Sequence, residues 1–319
     1  MDLELNLRIE VKRMYKLNEL TKNQSIGRSN VFIIFLFLLQ LFINCMLFNH
    51  ILFIVLDYVI ILTIAGSNKF LRDLSIYLKM GIFFGIFVLI FNIILNPNGE
   101  TKLVETTFQL PLYGNLTITL ETVINSAISI LSLISLIMVF GLMNKLINPD
   151  GLTKIFAKMR LPYSITFMII TSIRFFPLLI QDLKSITEVQ KSRGFELEGR
   201  NFLVKIKNQI VIILPLLTNS LDRSIQMAEA LEARGFGMNK KRTMHNPIKF
   251  RKTSYLSIII TIISVGFSIA IFVLGIATFD PYPKFNGFGL HLNSLIIFII
   301  HLTLHLLNYY VIYMEGKLK

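Results

Sequence analysis

The chain has 319 residues, 54% of them hydrophobic and only 16% charged, with a formal net charge of +13 and a mean hydropathy of +0.65. A soluble domain carries roughly a quarter charged residues, so this composition excludes that class and points to an integral membrane protein. The positive excess then reads as membrane topology rather than as a nucleic-acid footprint, because Lys and Arg accumulate in cytoplasmic loops.

Residues 1–30 hold Arg8, Lys12, Arg13, Lys16, Lys22 and Arg28. These are spread over too long a polar stretch for a cleavable signal, which needs a short basic region directly before its apolar core. The segment is expected to be a basic cytoplasmic extension, partly amphipathic and lying on the lipid surface.

A spanning helix needs roughly 20 apolar residues, at about 1.5 Å of rise each, to cross about 30 Å of hydrocarbon. Residues 31–48 and 51–65 predict two short spans joined by a tight turn at Asn49-His50, and further spans are expected at 80–95, 124–146, 255–277 and 290–313. Between the second and third lie Lys69, Arg72 and Lys79, whereas the next loop has Lys102 against Glu100, Glu105 and Glu121. The first of these loops is therefore expected inside and the second outside. Residues 279–289 are nearly uncharged and the chain ends in Lys317 and Lys319, so six spans with both termini cytoplasmic satisfy every loop. Within the outer loop, residues 106–110 and 116–120 alternate around Pro111 and Gly114-Asn115, which predicts a small hairpin.

From Lys145 to Lys252 the chain carries nineteen basic and eight acidic residues, a net +11 that is most of the total. Its apolar patches at 163–180 and 210–217 are interrupted or too short to span; Arg174 and Pro177 break the first. Amphipathic or shallow helices at the cytoplasmic surface are expected. The domains then read as an extension (1–30), four spans (31–146), a cytoplasmic coupling region (147–252) and two spans (253–319). The predicted fold class is an all-α integral membrane protein with about six transmembrane helices and a cytoplasmic region of long amphipathic helices.

That region contains a duplication. Pro177-Leu178-Leu179, Leu183 and Ser185-Ile186 lead to Lys191-Ser192-Arg193-Gly194-Phe195-Glu196; Pro215-Leu216-Leu217, Leu221 and Ser224-Ile225 lead to Glu232-Ala233-Arg234-Gly235-Phe236-Gly237. In the second copy Leu214, Leu217, Leu221, Ile225 and Ala228 follow helical spacing, which predicts one buried stripe and one wet face per helix. Gly194 and Gly235 supply the left-handed residue that ends a helix, and each arginine falls at the end where the helix dipole favours a cation. One Arg-Gly at a helix end is ordinary capping chemistry. Two matched ends, each a fork-shaped donor followed by Phe195 or Phe236, fit docking pegs for acidic grooves, with the rings as apolar anchors.

At these residues the chain resembles the transmembrane T component of energy-coupling factor (ECF) transporters, the EcfT family, which includes the CbiQ-type membrane subunit of cobalt uptake systems. In that family the paired tripeptides read Ala-Arg-Gly or close to it. Ala233-Arg234-Gly235 matches, and Ser192-Arg193-Gly194 replaces Ala with another small residue. Asn148-Pro149-Asp150-Gly151-Leu152, leading to Lys158-Met159-Arg160-Leu161-Pro162, is similar to the family's entry into its coupling region. The likeness runs from about residue 51 to the C-terminus, and the long N-terminus departs from it. The resemblance implies a non-catalytic subunit between two ABC-type ATPases, docked at Ser192, Arg193, Gly194, Phe195, Ala233, Arg234, Gly235 and Phe236, and a membrane-embedded S component that captures a vitamin or metal ion. No Gly-x-x-x-x-Gly-Lys-Ser/Thr loop is present to bind nucleotide phosphates.

The remaining polar positions point to less. Gly81 and Gly85 form a small-xxx-small pair for close helix packing or for the S component. Asp57 is an acid inside a span, expensive unless paired. Cys45 has no partner cysteine, so it reads as a buried hydrophobe. His301 and His305 have the spacing to share a metal, but no third ligand is evident, since His291 lies near the outer end; neither a metal nor a cofactor is expected. No nucleophile constellation is recognisable, so no enzyme is expected. The rival reading is a secondary transporter with its own substrate site, for which Asp57 is the main support.

Overall fold

A computed structural model of the chain describes residues 30–95, 99–110, 114–159, 162–194, 202–236, 250–283, 287 and 292–317. Among these, the helices are α1 (Val31–Leu47), α2 (Ile51–Ser67), α3 (Leu71–Leu95), α4 (Leu120–Leu146), α5 (Pro149–Lys158), α6 (Tyr163–Ser192), α7 (Phe202–Ala233), α8 (Lys252–Val273) and α9 (Leu292–Lys317). The strands β1 (Lys102–Leu110) and β2 (Gly114–Thr119) form the expected antiparallel hairpin between α3 and α4. This is an all-α membrane protein with one small hairpin. The chain divides into two compact units, Met1–Ile155 with Lys249–Lys319, and Phe156–Ile248.

In the first unit the two shortest apolar helices lie at the centre. At 17 residues each, α1 and α2 are about 25 Å long, and each buries a broad face, including Ile33, Phe37 and Leu41 of α1 and Leu56, Ile60 and Ile64 of α2, while Met46 and Val59 stay exposed. They pack against Met138, Val139 and Leu142 of α4. The 25-residue α3 is the reverse case: Phe83, Phe84, Phe87 and Phe91 are exposed, as suits a helix whose outer surface meets lipid tails. Arg72 and Lys79, expected in a loop, belong to the first turns of α3, because that helix starts nine residues before its apolar run.

Helices α3 and α4 approach closely because α3 offers glycines. A Cβ added at Gly81 would lie 2.9 Å from Ile134 Cγ1, and one at Gly85 would lie 2.9 Å from Ile130 Cγ2. The small-xxx-small pair is thus absorbed by packing inside the chain. Lys145 Nζ, in the last turn of α4, pairs with Asp73 Oδ2 in the first turn of α3 at 2.8 Å.

Helices α8 and α9 carry their buried stripes in polar residues. On α8, Ser254, Ser257, Thr261, Ser264 and Ser268 are buried at steps of three and four, while Ile259, Ile262 and Ile263 are exposed. The matching line on α9 runs through His301, His305, Asn308 and Glu315, all essentially inaccessible. Ser254 donates to Glu315 Oε1 at 2.8 Å, Ser257 to Asn308 Oδ1 at 2.7 Å, and Asn308 Nδ2 to Thr261 Oγ1 at 2.8 Å. Without a hydrophobic drive between helices in lipid, such bonds and small side chains hold spans together.

Five helices among the described residues are long and apolar enough to cross a membrane: α3, α4, α8, and residues Ser164–Ser192 and Ser294–Lys317 of α6 and α9. Four coincide with expected spans, and α1 and α2 are the expected short pair. The fifth, α6, was expected as a shallow helix. It runs unbroken through Arg174 and Pro177, since a proline costs one backbone bond without ending a helix whose flanking turns are intact.

Candidate functional site

The second unit is built on α6 and α7, helices of 30 and 32 residues that each contain a proline and still run uninterrupted. Their contacts run in opposite senses. Asp182 on α6 meets Arg223 on α7, Nη2 to Oδ2 at 3.0 Å, while Phe167 near the start of α6 meets Phe236 just after α7, ring centroids 4.7 Å apart. The two helices are therefore antiparallel, and their C-terminal ends lie at opposite ends of the pair. Phe236 lies beside Phe167, and Arg193 follows Phe167 by 26 residues, so the two Arg-Gly ends are about 40 Å apart along the α6 axis.

Both ends have the chemistry expected of them. Gly194 has φ +81 and Gly235 φ +69, the left-handed conformation in which glycine avoids a Cβ clash. At the second end Gly235 N–H donates to Glu232 O at 2.8 Å and Phe236 N–H to Leu231 O at 2.9 Å, the paired bonds of a Schellman motif. At the first, Gly194 N–H donates to Lys191 O at 3.0 Å in the same way. Ser192, Arg193, Ala233 and Arg234 are exposed. A guanidinium that follows the last helical turn faces unpaired carbonyls and the negative end of the dipole, which favours its charge there.

Two expectations change. Phe236 is half-buried against Phe167, so its ring secures the end of α7 rather than projecting from it. Phe195 lies outside the described residues. The stripe expected to be buried is also exposed: Leu214 by 64%, Leu217 and Leu221 by 60%, and Ile225 by 49%; Ala228 is exposed as well. Helix α6 covers another side of α7, the one that holds Ile212 and Arg223, and leaves the apolar face available to lipid or a partner.

Asp57 is buried on α2, beside the Asn44 side chain. His301 and His305 face one another, Nε2 to Nε2 at 3.1 Å. No group of three or more His, Cys, Asp or Glu residues suited to a metal occurs among the described residues. Sequence reasoning missed the Asp182–Arg223 pair, whose members each lie eleven residues before the arginine that ends their helix. It also missed the polar stripes of α8 and α9. The three- and four-residue spacing of Ser254, Ser257, Thr261, Ser264 and Ser268 was the signal that could have found them.

A family model described as "Cobalt transport protein" (CbiQ) matches residues 23–245. The chain is 30% identical to the energy-coupling factor transporter transmembrane protein EcfT of Staphylococcus aureus (strain 04-02981) over 195 residues, 58% of this chain and 70% of that protein. It is 27% identical to the proteins of the same name from Lactococcus lactis subsp. cremoris (strain MG1363), over 64% of this chain and 75% of that one, and from Macrococcus caseolyticus (strain JCSC5402), over 63% and 76%. The family match spans both Arg-Gly ends and α1 to α7, and with the membrane-spanning helices it establishes that this multi-pass membrane protein belongs to the CbiQ cobalt transport protein family.

Proposed function

We propose that the chain is the transmembrane coupling subunit, the T component, of an energy-coupling factor importer, and that it passes ATP-driven motion of two ATPase subunits to a substrate-binding S component. The observation that carries this reading is the pair of exposed arginines at opposite ends of one antiparallel helix pair. A two-fold ATPase presents two equivalent grooves, and two Arg-Gly ends about 40 Å apart can enter one each. Arg193 and Arg234 are the charged pegs, and acidic grooves are their complement. Closure of the ATPases on ATP would shift the two ends together and tilt α6 and α7 as a unit, held by Asp182–Arg223. The exposed Leu214, Leu217, Leu221 and Ile225 give that motion an apolar face through which to act on a membrane-embedded S component. The S component selects the vitamin or metal ion carried.

The charge pattern supports an orientation with both termini and the α6–α7 unit in the cytoplasm. Co-purification in detergent of the chain with its ATPases tests the proposal. Arg193→Glu with Arg234→Glu is expected to leave the protein in the membrane and abolish association with both subunits. Normal binding by the double variant would refute docking through these ends. Substrate uptake by the chain alone in liposomes without ATP would favour a secondary transporter instead.

A further inference from the structure

Besides the arginines, the ends of α6 and α7 share one further charged side chain. Of the ten positions between the Asp182–Arg223 pair and each arginine, only one holds the same residue in both helices: Glu188 on α6 and Glu229 on α7, each five places before its arginine. The other charges there do not repeat, since Lys191 corresponds to Glu232 and Lys184 to Ile225. Both glutamates are exposed, and among the described residues neither enters an ion pair.

The ion pair explains why one position diverges where the other is repeated. Helices α6 and α7 run antiparallel and touch at Asp182 and Arg223, which lie equally far from the two ends. Two copies of a unit that meet antiparallel at the same position are related by a local two-fold axis through that contact. On the axis each copy faces its own counterpart, so identical charges would repel and an acid must meet a base. Away from the axis equivalent positions do not meet, and what is alike in both copies is alike toward something outside. Glu188 and Glu229 therefore stand in the same place relative to Arg193 and Arg234.

Five residues cover about 7.5 Å of helix and turn its face by about 140°. A groove that takes a whole helix end meets more than one face of it, so both charges can be enclosed. Each carboxylate also lies within the last two turns, toward the negative end of the dipole, where its own helix gives its charge no support.

We infer that Glu188 and Glu229 are the second charged contact of each docking end, and that each takes a basic side chain beside the acidic groove that receives the arginine. The inference rests on the coupling reading above and adds the polarity of the partner's groove: an acid for Arg193 or Arg234, and a base about a turn and a half nearer the helix crossing. Two opposite charges fix the direction in which a helix end enters its groove, which an arginine alone leaves free.

The test titrates the full chain in detergent with its purified ATPase subunits and records affinity and melting temperature together. Glu188→Lys with Glu229→Lys is expected to weaken binding about tenfold or more with the melting temperature unchanged, and Glu188→Gln with Glu229→Gln to weaken it by a smaller factor. Asp222→Lys makes the same change of charge as Glu229→Lys at an exposed acid that does not repeat, since Gln181 corresponds to it, and should leave binding unchanged. Unchanged affinity in both double glutamate variants overturns the contact; where Arg193→Glu with Arg234→Glu still abolishes association, docking through the arginines stands without it. An equal loss from Asp222→Lys overturns it too, as a general effect of charge. Normal binding by the double arginine variant removes the docking reading and this contact together.

Discussion

Arg223 Nη2 on α7 lies 3.0 Å from Asp182 Oδ2 on α6, and this ion pair fixes the register of the two helices that end in Arg193 and Arg234. Both side chains are partly exposed, at 33% and 21%, so the pair contributes only about 0.5 kcal/mol to stability. In the proposed coupling function its larger role would be to make the two ends move together. Asp182→Asn is expected to lower the melting temperature slightly but to reduce ATP-driven uptake severalfold. The swap Asp182→Arg with Arg223→Asp should recover most of the transport, a coupling that a double-mutant cycle would measure.

At the helix ends, Gly194→Ala places a Cβ on a residue at φ +81 with no atom within 4 Å, so its cost is conformational and about 1 kcal/mol. Gly235→Ala, at φ +69, is expected to cost about the same. Asn at either position should cost less, because its side chain tolerates that conformation. Limited proteolysis of the α6–α7 unit and ATPase co-purification would rank the variants Gly, Asn, Ala.

Helices α3 and α4 offer a test of packing in the membrane unit. Gly81→Ala meets Ile134 Cγ1 at 2.9 Å and Ile134 Cα at 3.3 Å, so backbone must give as well as side chain. A loss of about 1–3 kcal/mol is expected, and more for Gly81→Leu. Adding Ile134→Ala to Gly81→Ala should recover much of it, as read by thermal denaturation in detergent.

Glu315, only 1% exposed, accepts from Ser254 Oγ at 2.8 Å, and the same hydroxyl oxygen accepts from Arg251 N–H at 3.1 Å at the start of α8. Ser254→Ala removes both bonds and should cost about 2 kcal/mol. Glu315→Gln keeps an oxygen for Ser254, so it should be milder. Melting temperatures of the two variants, measured at one lipid-to-detergent ratio, would order them.

Much of this was legible in the sequence, and what was not has a common cause. The spans at α3, α4, α8 and α9 follow from average hydropathy, and the ends of α6 and α7 follow from Arg-Gly with helical spacing. Average hydropathy does not report phase. The Ser and Thr residues of α8 are diluted by Ile and Phe in any window, so its polar stripe went unseen. On α7 the phase was read correctly, but an amphipathic face reports only that something covers it. Leu214, Leu217 and Leu221 are left uncovered by this chain. Gln40 and Asn44 lie in an apolar run, and nothing local links them to residues more than two hundred positions away.

That separation has a consequence for biogenesis. The amides of α1 find their hydroxyl and imidazole partners on α8 and α9, 224 residues and more downstream. During synthesis the first span must wait in the bilayer, its polar side chains turned toward whatever is at hand, until the ribosome has delivered the last two. Helix α1 is thus among the last of the described helices to have its contacts completed, and a chain cut short before α8 would leave its two amides without these partners.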